Sequence, residues 1–178
     1  MKNLIIYTSQ TGFTKRYAEW LAEKMNADMF DLKDVQKKDG SFFEEYETIT
    51  YAGWAMAGSV VKVKWFLDKA VAWEKKRLAI IVVGGSPNDN PDVEVMLQRL
   101  LTDEQRNYIK AFYCQGGINY DKMKAPSRMV MKVFVSAMKK QKDEKSRLMG
   151  EYLAQSYDIS DIKYLDSVVA YLQGEAVL

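Results

Sequence analysis

Tyr7-Thr8-Ser9-Gln10-Thr11-Gly12-Phe13-Thr14 joins two different periodicities. Before it, Asn3-Leu4-Ile5-Ile6-Tyr7 reads as a short apolar strand. After it, a helical pattern runs to about Asn26, with Tyr17, Leu21, Ala22 and Met25 on one stripe. A helix N-terminus leaves backbone N–H groups unpaired at the positive end of its dipole, and so attracts anions. The stretch adds hydroxyls from Thr8, Ser9, Thr11 and Thr14, the amide of Gln10, and Gly12 where the backbone must come close. It contains neither Lys nor Arg. These features describe a terminal phosphate held by neutral donors.

Other phosphate-binding chemistries fit badly. No Gly-x-x-x-x-Gly-Lys-Ser/Thr string and no Gly-x-Gly-x-x-Gly string occurs, which argues against a nucleoside triphosphatase and a dinucleotide site. A cysteine phosphatase needs a thiolate in the loop, and the one cysteine is Cys114, in an apolar strand pattern that suits a buried small hydrophobe. The sequence has no histidine, which removes Ser-His, Cys-His and His-metal sites. No metal site is expected, and redox chemistry would need an organic cofactor.

The chain has 178 residues, of which 48% are hydrophobic, as expected for one domain with a substantial core. No apolar run reaches the roughly 18–20 residues of a spanning helix, and no basic-then-apolar leader pattern opens the sequence. A cytoplasmic protein is the expectation.

Further along, Ala27 to Leu32 reads as a second strand, and Phe42, Phe43 and Tyr46 suit a single helical turn. Thr48 to Ala52 reads as a third strand, and Ser59 as the cap of a helix reaching about Trp73. Leu78 to Val83 has the continuous apolar character of a strand covered on both faces. A helix is expected from Asp92 to Leu101, and Thr102-x-x-Gln105 reads as a capping box for another. Ala111 to Gln115 makes a fifth strand, and a last helix spans about Asp161 to Leu172. Alternating strands and helices predict a doubly wound parallel sheet with its ligand crevice at the strand C-terminal ends. Three loops of binding character leave those ends: Thr8 to Thr14, Gly53 to Gly58, and Gly84-Gly85-Ser86-Pro87-Asn88 with Asp89.

The pattern Ser9-x-Thr11-Gly12-x-Thr14, directly after the first strand, resembles the FMN-phosphate loop of the flavodoxin family. The resemblance implies a five-stranded sheet in order 2-1-3-4-5 with helices on both faces, and non-covalent FMN on which all the redox chemistry occurs. No catalytic side chain is then required. Ser9, Gln10, Thr11, Gly12, Phe13 and Thr14 are the expected phosphate-loop residues. Gly53, Trp54, Ala55 and Met56 would provide a wall for the ring, with Gly84, Gly85, Ser86, Pro87 and Asn88 as the third binding loop.

A basic insert, about Ile118 to Tyr157, separates the fifth strand from the last helix. Within it, Lys122 to Arg147 holds nine Lys and Arg against Asp143 and Glu144, a net +7; the whole chain is +2, which leaves −5 elsewhere. Met129 to Met138 is apolar around most of a helix and flanked by cations. It suits three roles: peripheral contact with lipid phosphates at the inner membrane face, a cover over the flavin for a bulky apolar substrate, or a core helix or dimer face. The clustering without interleaved aromatics speaks against nucleic acid. Gly117-x-x-Tyr120 followed by this insert resembles the bacterial flavodoxin-type protoporphyrinogen oxidases, with departures at Thr11 and at Gly53-Trp54-Ala55-Met56. The expected function is an FMN-dependent oxidoreductase acting on a porphyrinogen or quinone, with a redox partner. The alternative is an electron carrier without its own substrate.

Overall fold

The first apolar run forms β1 (Asn3–Tyr7), and the hydroxyl-rich loop leads into α1 (Phe13–Met25). The computed structural model describes residues 2–175. After α1 come β2 (Asp28–Asp31), two single-turn helices α2 (Leu32–Val35) and α3 (Ser41–Glu44), β3 (Thr48–Met56) and β4 (Ser59–Val60). The chain continues through α4 (Val63–Ala70), β5 (Arg77–Gly84), α5 (Pro91–Leu100), β6 (Ile109–Gln115) and β7 (Gly117–Ile118). Two insert helices follow, α6 (Ala125–Lys139) and α7 (Glu144–Tyr152), then β8 (Tyr157–Asp158) and α8 (Asp166–Gln173).

The main sheet runs β2-β1-β3-β5-β6, all parallel, with β4 paired antiparallel to β3. This is the expected 2-1-3-4-5 order, with the two-residue β4 added beside it. Alternation along β1 distributes side chains to two cores. Leu4 and Ile6 join Ile49, Tyr51, Phe43 and Phe66 on one face. Ile5 joins Ile81, Cys114, Leu21, Leu165 and Val168 on the other, beneath α1 and α8. Buried Asn3 fastens these layers: its amide donates to the Met25 carbonyl at 2.9 Å and its oxygen accepts from Thr48 Oγ1 at 2.9 Å. Cys114 is fully buried, and burial pushes its thiol up to about 12, as expected of an inert apolar filler.

Several local expectations need correction. The stretch after Ala52 is not a free loop. Gly53 and Trp54 continue β3 opposite Val82 and Val83 of β5, and the chain turns only at Ala57 and Gly58, both with positive φ. Ser59 caps no helix, because it lies in β4 opposite Met56; α4 starts at Val63 after Lys62 at φ 59°. The reciprocal bonds of Thr102 and Gln105 form, but they hold a 3-10 turn at Gln105–Asn107 rather than an α-helix. The last helix divides into a 3-10 turn, Ile162–Leu165, and α8.

The insert is closed at its base by β7 pairing antiparallel with β8, Gly117 opposite Asp158 and Ile118 opposite Tyr157. Its own small core is Ile118, Val135 and Leu153, with Met131, Met138 and Tyr120 packed around it. Gly150 lets α7 approach α6 closely, since a Cβ there would lie 3.0 Å from the Lys139 backbone nitrogen. Among the described residues no helix is long and apolar enough to cross a membrane.

Candidate functional site

The C-terminal ends of β1, β3 and β5 open onto one cavity of about 400 Å³, within the usual range of about 300–1,000 Å³ for small-molecule sites. Gln10, Thr11, Phe13 and Thr14 enter from the first loop, and Trp54, Ala55 and Met56 from the end of β3. Gly84, Gly85 and Ser86 enter from the end of β5. Three segments far apart in sequence therefore meet because a parallel sheet puts every strand C-terminus on the same edge.

Five of the expected residues stand off the cavity wall. Ser9 supports the loop from behind: its Oγ accepts from the Gly12 N–H at 3.2 Å. Gly12 has φ 102°, ψ −21°, a left-handed conformation that favours glycine at the start of α1. Gly53 is buried within β3, against Val60 and Tyr51. Pro87 faces α7 beside Leu148 and Tyr152, and the Asn88 N–H donates to Gln115 Oε1 at 3.0 Å.

No side chain caps α1, so its first turn keeps its electropositive character for a ligand. Thr14 is buried where it lines the cavity, and Thr11 is half-buried beside it. Gln10 Oε1 accepts from the Lys124 N–H at 3.3 Å, which ties the loop to the insert and leaves the amide NH₂ to offer a ligand. The third loop is held by two phenols, one buried (Tyr113) and one half-buried (Tyr157). Tyr113 donates to the Ser86 carbonyl at 2.8 Å and accepts from the Ser86 N–H at 3.1 Å; Tyr157 donates to the Gly85 carbonyl at 2.7 Å. Burial raises both, Tyr113 to about 12, so they remain protonated donors at neutral pH.

Sequence reading missed part of the lining. Tyr113, Val93 and Met96 belong to elements whose local pattern signals only core. The insert supplies the apolar side chains of Met123, Val130, Met131 and Phe134 and the hydroxyl of Ser127 to the same cavity. Among the described residues, no cluster of acidic or sulfur side chains could hold a metal ion.

The donor set has two characters, neutral hydroxyls and amides at an uncapped helix start and a larger apolar slab beside them. That combination fits a flat, mostly apolar ring carrying a phosphate tail. FMN, which a flavodoxin-type loop implies, satisfies both halves. Fold and site together define a doubly wound α/β protein with a hydroxyl-rich loop after β1 and an aromatic-walled crevice at the strand edge.

A family model described as a flavodoxin domain matches residues 4–146. The chain belongs to the flavodoxin domain family, and FMN is the cofactor of that family. Among solved structures, a flavodoxin, WrbA-like protein from Agrobacterium tumefaciens is similar at 19% identity and TM-score 0.51, covering 86% of this chain and 95% of that one. A Trp repressor binding protein from Bacillus subtilis aligns at 14% identity and TM-score 0.49, over 75% of this chain and 98% of that one. A flavoprotein in complex with FMN from Lactobacillus acidophilus NCFM aligns at 14% identity and TM-score 0.44, over 64% and 91%. No curated protein matches.

Proposed function

We propose that the chain is an FMN-dependent oxidoreductase that transfers electrons between an apolar substrate, of the porphyrinogen or quinone class, and an acceptor. One observation carries this reading: α6 lines the same cavity as the phosphate loop, presenting Val130, Met131 and Phe134 opposite the strand ends. A protein that only passes electrons has no need of such an apolar wall. An enzyme with an apolar substrate uses one to bind it and exclude water.

The assignment of roles follows from the chemistry of each group. Thr11, Thr14 and the Gln10 amide would hold the phosphate, as neutral donors beside an uncapped helix start. Trp54 and Met56 would flank the ring, and the Ser86 segment, fixed by Tyr113, would supply backbone groups at its polar edge. FMN supplies the electron transfer itself, so the protein needs no titrating acid or base. Its part is to orient the two reactants and keep water out.

A second reading, an electron carrier with no substrate of its own, is favoured by the exposure of Met56, 47% accessible at the cavity rim, where a partner protein could approach. The decisive experiment titrates FMN into the protein, followed by flavin absorbance and fluorescence, then assays quinone and porphyrinogen turnover. Thr11→Ala with Thr14→Ala should weaken FMN binding about 10²-fold or more, since two hydrogen bonds to a charged group are lost. Unchanged affinity would overturn the phosphate assignment. Phe134→Ala should leave FMN affinity nearly intact and raise KM for the apolar substrate. Flavin binding without turnover of either substrate would favour the carrier.

A further inference from the structure

On the side of α6 away from the candidate flavin cavity lies a second cavity, of about 690 Å³, whose lining is cationic. Arg128, Lys132 and Lys139 fall at spacings of four and seven residues, which stacks them along one ridge of the helix. Lys140 adds a fourth cation, and Ser136, Gln155 and Ser156 add neutral polar groups. Asp121 is the one acidic residue in the lining. None of the four cations makes an ion pair among the described residues.

Arg128 is a second, independent observation. Its Nη2 donates to the Met123 carbonyl at 3.2 Å and, more weakly, to the Asp121 carbonyl at 3.4 Å, which fixes the guanidinium in the cavity wall. Its Nε is buried and has no hydrogen-bond partner among the described residues. An unpaired buried donor is costly, and a bound ion or ordered water is one way its need for a partner is met. A planar guanidinium held in place by backbone carbonyls is suited to a phosphate oxygen.

We propose that this cavity is a binding site for a phosphate-bearing anion carrying more than one negative charge. The length of the ridge argues for more than a single phosphate: from Arg128 to Lys139 the helix rises about 16 Å at roughly 1.5 Å per residue. A diphosphate group spans part of such a row and meets several of its cations at once. The site stands apart from the flavin assignment, because it shares the helix with that cavity but none of its lining residues. The same phosphate chemistry is offered by a soluble diphosphate and by an anionic lipid headgroup. The exposed apolar side chains Met129 and Val133 on the same helix, which line neither cavity, suit the lipid source.

The test uses the full chain loaded with FMN, inorganic pyrophosphate as the soluble probe, and vesicles of phosphatidylglycerol with phosphatidylcholine against phosphatidylcholine alone. The pocket variant is Lys132→Gln with Lys139→Gln. The control is Lys142→Gln with Lys145→Gln, which removes the same charge from the insert outside the cavity. Calorimetric titration should show pyrophosphate binding weakened at least tenfold in the pocket variant and within twofold of the parent in the control. Sedimentation with the anionic vesicles alone, lost in the pocket variant and kept in the control, would support the site and assign its phosphate to lipid. Equal losses in both variants would mean unspecific charge attraction and overturn the proposal. Absence of binding to either probe would overturn it too.

Discussion

The sheet and the insert hold themselves together in different ways. In the sheet, β3 and β5 lie between two cores, and residues such as Ile49, Ile80 and Ile81 have no accessible surface. In the insert, the buried residues among those described are Ile118, Val135, Gly150 and Leu153, while Met129 and Val133 on α6 are about two-thirds exposed. Both regions contribute to one cavity. A rigid scaffold fixes the hydroxyl-rich first loop, and a lightly packed cover faces it. Regions with few buried apolar contacts open at lower free energy than the global fold, and lids are drawn from that class.

The largest effect should come from the sheet. Ile81→Ala removes a fully buried side chain between tightly packed layers and should cost about 2–5 kcal/mol of global stability, measured by denaturant unfolding. A loss below about 1 kcal/mol would mean the sheet is no more tightly built than its cover. Val135→Ala in the insert should cost less, about 1–2 kcal/mol, as a smaller truncation. Its signature should be regional: hydrogen exchange accelerates in α6 and α7 while β3 and β5 stay protected. Uniform acceleration would show that the insert unfolds only with the whole chain.

Smaller still is the pair at the junction of the two regions. Arg16 of α1 contacts Asp158 of β8 at 2.5 Å and Ser160 Oγ at 2.7 Å. Burial opposes ionisation of Asp158, but the hydrogen bonds from Arg16 and Ser160 outweigh it and hold the carboxyl below its usual range. A carboxylate with a depressed pKa stabilises the fold above its ordinary value, and that contribution is lost as pH falls through the folded value. Both side chains are over a third exposed, so the expected effect is about 0.2–1 kcal/mol. Asp158→Asn should therefore destabilise slightly at pH 7, and the gap to the parent should close in acid below about pH 4. A gap that widens on acidification would reverse the assignment. In the same folded state Cys114 should resist thiol reagents, since it is buried and its thiol is held protonated.

The sequence disclosed what depends on local pattern. β1, β5 and β6 each contain an uninterrupted apolar run, and the hydroxyls of Thr11 and Thr14 sit at a strand-to-helix boundary that any α/β chain places at the ligand edge. It disclosed less where pairing partners decide. Gly53 and Trp54 look like loop residues, and only Val82 and Val83 of the neighbouring strand make them part of the sheet. Ser59 has the side chain of a helix cap, but the hairpin return pairs it with Met56. Gln10, Trp54 and Ser86 were legible as residues of the strand-edge cavity because their segments end strands. Tyr113 and Met96 were not, because they reach the cavity from a strand and a helix that otherwise read as ordinary packing.

The short pairing of Gly117–Ile118 with Tyr157–Asp158 has an architectural consequence. It brings the entry and exit of residues 119–156 side by side, so the chain leaves and re-enters the α/β core at one paired gateway. The entropic cost of such an excursion grows only with the logarithm of its length. The stretch between can therefore lengthen, shorten or be exchanged for another while the sheet register is preserved. One scaffold can then carry different covers over the same cavity, with the lining on that side changing from cover to cover.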